Sequence, residues 1–173
     1  MKTIYEKYGE YFKAKFKQDK NLEFYVVPNL EDMYCLYISS RLDFDPYFIR
    51  IDQEMVYIDG PVVQDEAFEY SSIEKISEKE ILSYLDKKAK ELQLFLENGV
   101  FLYAYKGSEV VMGVSIPNNN RSDFLKQFDA KKIYNENKTI DAPDYLELNR
   151  LELKDFYGNT LKAFGNKNQT EKE

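Results

Sequence analysis

Between residues 22 and 58, apolar and polar side chains alternate with a period of two, and turn-forming residues interrupt the alternation. Alternation of this kind predicts an antiparallel sheet with one face in the core and the other in solvent. The predicted strands are residues 22–27, 33–39, 47–52 and 55–58. Gln53-Glu54 fits the tight turn of a hairpin between the last two of these strands. Residues 62–76 are acidic and weakly patterned, which is typical of either an edge strand or a loop.

Apolar residues at helical spacing predict a long helix after this region. Ser77 and Glu80 are spaced as a capping box at its start, and Asn98-Gly99 marks its end. A shorter helix is predicted at the N-terminus and another after a second hairpin. The predicted helices are residues 2–17, 77–99 and 122–134, and the strands of the second hairpin are residues 100–105 and 109–116.

Residues 141–164 fit two structures. The run Asp141-Ala142-Pro143-Asp144 is a good helix start, and most of the apolar residues that follow fall within one broad helical arc. Leu148 and Leu151 lie outside that arc and favour a hairpin that turns at Asn149-Arg150. We predict a helix and keep the hairpin as the alternative. Residues 165–173 contain no large apolar side chain, which predicts a disordered polar tail.

The resulting element order is α-β-β-β-β-α-β-β-α-α, which predicts an α+β fold with an antiparallel sheet of about six strands and helices packed on one face. A chain of 173 residues fits one domain, predicted here over residues 1–164. The order resembles that of secretion chaperones, which run helix, strands, helix, two strands, helix. That resemblance implies a small acidic protein that holds an extended client.

The negative charge of the chain is concentrated in residues 21–74, which hold twelve Asp and Glu residues against two Arg. The whole chain carries a formal net charge of −7 and has a pI near 4.9. Clustered carboxylates steer basic partners and repel phosphates. A basic protein partner is therefore expected, such as a nuclease or another nucleic-acid-binding protein, and direct binding of nucleic acid is not.

Histidine is absent, and Cys35 is the only cysteine. The composition therefore excludes Ser-His, Cys-His and His-metal sites, and it excludes an intramolecular disulfide. A single cysteine is typical of a cytoplasmic protein. No apolar run approaches the ~18 residues of a membrane span, so no membrane association is predicted.

Two carboxylate patterns would suit an enzyme that uses a metal ion. Several acids between residues 43 and 59 could surround Mg²⁺, although no phosphate-binding Gly-rich loop accompanies them. Pro143-Asp144 followed by Glu152-Leu153-Lys154 matches a string found in metal-dependent nucleases. That site requires the hairpin alternative for residues 141–164. We predict no catalytic residue, metal or cofactor, and a carboxylate-metal enzyme is kept as an alternative.

The remaining feature is a sheet face that combines tyrosines with carboxylates. Tyrosine is enriched at interfaces because it buries a large area with few rotatable bonds. The predicted partner-binding residues are Tyr25, Tyr37, Asp43, Asp45, Asp52, Glu54, Tyr57 and Asp59. They predict a non-enzymatic acidic inhibitor that occludes a basic partner, as an immunity protein for a toxin nuclease or a phage-encoded inhibitor of a host defence nuclease would. The alternative from another class is a secretion or assembly chaperone, for which a dimer is expected.

Overall fold

A computed structural model describes residues 1–40, 46–60, 65–116 and 118–165 of the chain. The predicted α+β class with antiparallel strand pairing is confirmed. The chain divides into two compact units, Met1–Gln93 and Leu94–Glu173. This division does not test the single domain expected over residues 1–164, which stays a prediction.

The first unit contains a five-stranded antiparallel sheet in the order β1-β2-β3-β4-β5. Its strands are β1 (Glu23–Val26), β2 (Met33–Ser39), β3 (Tyr47–Asp52), β4 (Met55–Asp59) and β5 (Glu66–Glu69). The four strands predicted before residue 60 are thereby confirmed, as is the hairpin that turns at Gln53-Glu54. Of the two possibilities for residues 62–76, the structure contains the edge strand.

Both helices of this unit contact one face of the sheet. Tyr34, Ile51, Val56 and Phe68 are cross-strand partners in one row, so their side chains point to the same side. Helix α1 (Ile4–Ala14) lies over Tyr34 at Gly9, and helix α2 (Glu78–Asn98) places the ring of Tyr84 4.3 Å from that of Phe68. The prediction that helices pack on one face is confirmed for this sheet. The last residues of α2 belong to the second unit.

The second unit contains a four-stranded antiparallel sheet in the order β7-β6-β8-β9. Its elements are β6 (Val100–Lys106), β7 (Glu109–Ile116), α3 (Arg121–Lys126), α4 (Ala130–Asn137), a 3-10 turn (Tyr145–Glu147), β8 (Arg150–Lys154) and β9 (Thr160–Gly165). The hairpin of β6 and β7 is confirmed. The helix predicted over residues 122–134 is two short helices, because Asp129 caps the start of the second by accepting a hydrogen bond from the Lys132 N–H.

The helix predicted over residues 141–164 is wrong, and so is the turn proposed at Asn149-Arg150. The residues form a hairpin of β8 and β9 with its turn between Lys154 and Thr160. Asp155 holds this turn, since its Oδ1 accepts from Tyr157 N at 3.0 Å and Asn159 N at 2.8 Å. Gly158 supplies a positive φ of 86°.

The pairing of β8 with β6 also explains why the described strands form two sheets instead of the predicted sheet of about six strands. Leu151 and Leu153 are buried beside Leu102 and Ala104, which lie about fifty residues earlier in the chain. Residue 165 is the last of β9, and the rest of the predicted tail, residues 166–173, lies outside the described residues.

Candidate functional site

We call the side of the five-stranded sheet opposite α1 and α2 the outer face. The strand register assigns its members, because side chains alternate along each strand. The outer face carries Glu23, Tyr25, Cys35, Tyr37, Phe48, Arg50, Asp52, Met55, Tyr57 and Asp59. Five predicted binding residues therefore share one face: Tyr25, Tyr37, Asp52, Tyr57 and Asp59.

Four aromatic rings cross the outer face on four consecutive strands, and we call them the aromatic row. The ring centroids of Tyr25 and Tyr37 lie 6.3 Å apart, those of Tyr37 and Phe48 4.8 Å, and those of Phe48 and Tyr57 6.1 Å. Each such pair contributes roughly 0.5–1.5 kcal/mol beyond its burial. Tyr25 is 58% exposed at one end of the row, and the other three rings are half-buried. The row is thus a preformed apolar strip with phenol groups along it.

Arg50 lies beside this row as a cation that already has partners. Its guanidinium carbon is 5.3 Å from the Tyr57 ring centroid, and Nη2 donates to Met55 Sδ at 3.7 Å. Its Nε is 3.1 Å from Asp52 Oδ2, which is within ion-pair distance although the alignment is poor for a hydrogen bond. Arg50 therefore offsets much of the negative charge of Asp52.

Among the described residues, the predicted carboxylates Asp52, Glu54 and Asp59 do not form one cluster. Asp52 ends β3 and accepts from the N–H groups of Glu54 and Met55 at 2.9 Å each, so it builds the hairpin turn. Asp59 ends β4 at the opposite end of the sheet and accepts from Gly60 N at 2.9 Å. Glu54 is exposed in the turn, and Asp43 and Asp45 lie outside the described residues. Asp52 and Glu54 thus lie at one end of the strands that carry the aromatic row, and Asp59 lies at the other end.

Two members of this site were missed as binding residues by the sequence analysis. Phe48 lies in the middle of the aromatic row, and its alternation with Ile49 was a sufficient signal. Asp65 accepts a short hydrogen bond from the Tyr57 hydroxyl, which raises the pKa of that phenol. Nothing in the weakly patterned segment around Asp65 indicated this contact.

Of the two patterns considered for metal chemistry, the described acids of residues 43–59 belong to the strands and turns of the outer face, whereas the string from Pro143 to Lys154 lies in the second unit. Among the described residues, no three His, Cys, Asp or Glu side chains are grouped as a metal site would require. Asp144 precedes the 3-10 turn, and its Oδ1 lies 3.5 Å from Nζ of Lys138. Glu152, the other acid of that string, forms ion pairs with Arg150 and Lys154. In the described ranges no helix has the length and apolar character needed to cross a membrane.

Cys35 is expected to react slowly with thiol reagents in the native protein. It is 7% exposed on the outer face, and burial raises the pKa of its thiol, so little thiolate is present at neutral pH. We expect alkylation by iodoacetamide to be at least ~10-fold slower than for a Tyr25→Cys, Cys35→Ser variant, whose thiol is exposed. Mass spectrometry of timed samples measures both rates. Equal rates would contradict the burial of Cys35.

No protein-family model, no curated protein and no solved structure matches this chain.

Proposed function

We propose that the outer face is a protein-binding surface with which this protein occludes a basic partner. The observation that carries the proposal is the aromatic row, in which Tyr25, Tyr37, Phe48 and Tyr57 are held side by side. A few well-packed residues supply most of the binding energy at protein interfaces, and tyrosine is enriched among them. Because the rings are already ordered by their neighbours, little conformational entropy is lost when a partner covers them.

Charge supports a basic partner for this surface. Residues 1–93 hold 19 Asp and Glu against 13 Lys and Arg, whereas residues 94–173 hold 12 against 11. The acids at the ends of the outer-face strands would accelerate association with a positively charged surface, and the aromatic row would slow dissociation. A nuclease or another nucleic-acid-binding protein offers such a surface where it holds phosphates.

The concrete forms of this function are an immunity protein for a toxin nuclease and a phage-encoded inhibitor of a host defence nuclease, acting in the cytoplasm. In both, tyrosine hydroxyls and carboxylates occupy the groove that the phosphates of a nucleic acid would otherwise fill. The inhibition is steric, so it requires no catalytic group in this chain.

Substitution of the aromatic row is expected to weaken capture of the partner. We expect a Tyr25→Ala, Tyr37→Ala variant to bind a partner isolated from the native source at least ~30-fold more weakly, because loss of a single hot-spot ring costs roughly 2 kcal/mol and losses at neighbouring rings are not additive. Calorimetric titration of the purified partner measures the change. The matched control is Leu146→Ala in the second unit, which removes an apolar side chain that is 67% exposed and should leave the affinity unchanged.

Unchanged affinity of the double variant, with an unchanged melting temperature, would rule out the outer face as the binding surface. A salt series separates the proposal from the chaperone alternative. Association with a basic partner should slow steeply between 50 and 500 mM NaCl, because screening shortens the reach of the carboxylates to roughly a few ångströms at the higher concentration. Capture of an extended client through apolar contacts would change little.

A further inference from the structure

Within the described residues, β1 forms one edge of the five-stranded sheet. Val27 N donates to Cys35 O at 3.0 Å, and the register places Tyr25 opposite Tyr37 two residues away. Hydrogen-bonded pairs alternate with non-bonded pairs in an antiparallel ladder, so the N–H and C=O groups of Phe24 and Val26 point away from β2. These four groups are the hydrogen-bonding positions to which another strand would add.

A cleft of about 530 Å³ lies beside this edge, next to the start of α1. Its lining includes the apolar residues Val26, Pro28 and Leu30 and the acids Glu6 and Glu10. Glu10 accepts from the Tyr34 hydroxyl at 3.2 Å through Oε1, and Glu6 accepts from Thr3 N at 3.0 Å through Oε2. A carboxylate has about four acceptor sites, so both retain capacity for a further donor.

We propose that an extended basic segment of the partner adds to β1 as a further strand and places a Lys or Arg side chain in this cleft. This inference rests on the proposed function and specifies how the partner is held. A residue opposite Val26 on an added strand would point to the same side as the Val26 side chain, which lines the cleft. Its methylene stem would lie along the apolar lining residues, and its charged end would reach Glu6 and Glu10. Lys2 also lines the cleft and leaves it with one net negative charge.

The same added strand would extend the aromatic row. Its alternate side chains would point to the outer face beside Tyr25, the most exposed ring of the row. Main-chain hydrogen bonds would then supply affinity, and the cleft would supply the preference for a basic side chain. At the opposite edge, the acid of β5 that lies on the helix side of the sheet, Glu66, is already bonded to Lys88 and Tyr84 and has less capacity for a basic side chain of a partner.

The test uses the full chain and a blocked eight-residue peptide of alternating lysine and valine. We expect the peptide to slow hydrogen exchange at the amides of Phe24 and Val26 at least ~10-fold, as observed by NMR, because those amides gain acceptors. A peptide of alternating glutamate and valine should have no effect. Glu10→Gln should weaken binding about five-fold through loss of a charge-assisted hydrogen bond, whereas the control Glu109→Gln, an exposed acid on β7 of the second unit, should not.

Val26→Pro probes the edge directly, since it removes an outward N–H without removing a β1–β2 hydrogen bond. We expect it to lower the affinity for the lysine peptide at least five-fold (about the value of one hydrogen bond). If Val26→Pro melts at a lower temperature than the unsubstituted protein, its weaker binding could come from unfolding. The hydrogen-exchange data on the unsubstituted protein and the affinity of Glu10→Gln then test the proposal.

Absence of binding at 1 mM peptide, or binding that leaves the Phe24 and Val26 amides unprotected, would overturn the proposal. Shifts confined to Tyr25 and Tyr37 would overturn it while supporting the outer face as the binding surface. Two results together would support the added strand but contradict the proposed function of the outer face. The peptide would protect the amides of Phe24 and Val26, and the Tyr25→Ala, Tyr37→Ala variant would bind the partner with unchanged affinity.

Discussion

Replacing Gly9 by alanine is expected to destabilise the protein, even though alanine is the better helix former. A Cβ atom at Gly9 would lie 2.1 Å from Cδ1 and 2.3 Å from Cε1 of Tyr34. That ring is 3% exposed and its hydroxyl donates to Glu10, so it cannot move aside cheaply. Helix α1 must therefore shift away from the sheet. We expect a net loss of ~1–3 kcal/mol in the free energy of unfolding, measured by urea denaturation.

The control for this change is Ala14→Gly, an exposed position in the same helix. Ala14→Gly measures the conformational cost of a glycine in this helix, which is at most ~1 kcal/mol. Without the contact with Tyr34, Gly9→Ala would stabilise the helix by a similar amount. The Gly9→Ala, Tyr34→Leu double variant should recover part of the loss, since the ring that meets the new methyl group is gone. A neutral or stabilising effect of Gly9→Ala would contradict the close approach of α1 to Tyr34.

The first sheet was predictable because its signals are local. Strands β2 and β3 have the predicted bounds, and the turn at Gln53-Glu54 lies where the alternation is interrupted. Asp52 provides the chemistry of that turn by accepting two backbone N–H groups. A hairpin of this kind needs no information from distant parts of the chain.

The second sheet was not predictable because its pairing is non-local. Leu153 is opposite Leu102 on β6, and Leu151 is opposite Ala104. No local pattern shows that partner, and a capping signal at Asp144 favoured a helix. The signal was real, but it starts only the 3-10 turn of Tyr145–Glu147. The Gly158-Asn159 pair, which does mark the observed turn, was overlooked.

For the candidate site, alternation along the strands correctly assigned Tyr25, Tyr37 and Tyr57 to the same face, with Asp52 at its rim. Acids were treated as solvated charges that converge on one patch. In the structure Asp52 and Asp59 accept backbone N–H groups at opposite ends of the sheet, which is how short acidic side chains commonly act in turns. Alternation therefore shows which face a side chain shares, whereas a count of charges does not show that Asp52 and Asp59 are engaged in turns.

A second large effect is expected from the carboxylates around Lys88. The side chain of Lys88 is 6% exposed, and its Nζ lies 2.5 Å from Glu66 Oε1 and 2.8 Å from Glu91 Oε2. Removing both charges with Glu66→Gln and Glu91→Gln leaves a buried ammonium without an anion. We expect a loss of about 3 kcal/mol in urea denaturation at pH 7, at the lower end of the range for a broken buried pair, because the amide oxygens still accept from Lys88.

The matched change is Lys88→Met, which should cost no more than ~1 kcal/mol. The side chains of Glu66 and Glu91 are 34% and 41% exposed, so water can solvate both carboxylates once the ammonium is gone. Methionine fills a similar volume with an apolar chain. We expect the buried ammonium to need its anions more than the carboxylates need the ammonium. An equal loss of unfolding free energy in Lys88→Met and in Glu66→Gln, Glu91→Gln would contradict this.

The pH dependence of the free energy of unfolding gives an independent check, in which the unsubstituted protein is compared with the Glu66→Gln, Glu91→Gln variant. Burial tends to raise the pKa of Glu66, but hydrogen bonds from Lys88 and Tyr84 outweigh it and lower that pKa. The resulting stabilisation is present above the unfolded pKa of about 4.3 and is lost as the pH falls through the lower folded value. Burial tends to lower the pKa of Lys88, but its bonds to Glu66 and Glu91 raise that pKa. The stabilisation from Lys88 is therefore present below about pH 10.4 and is lost at higher pH.

The difference in unfolding free energy between the unsubstituted protein and the Glu66→Gln, Glu91→Gln variant should therefore be largest between about pH 5 and 10 and should shrink toward pH 3. A difference that stays constant from about pH 7 down to pH 3 would mean that the ion pairs around Lys88 do not stabilise the fold.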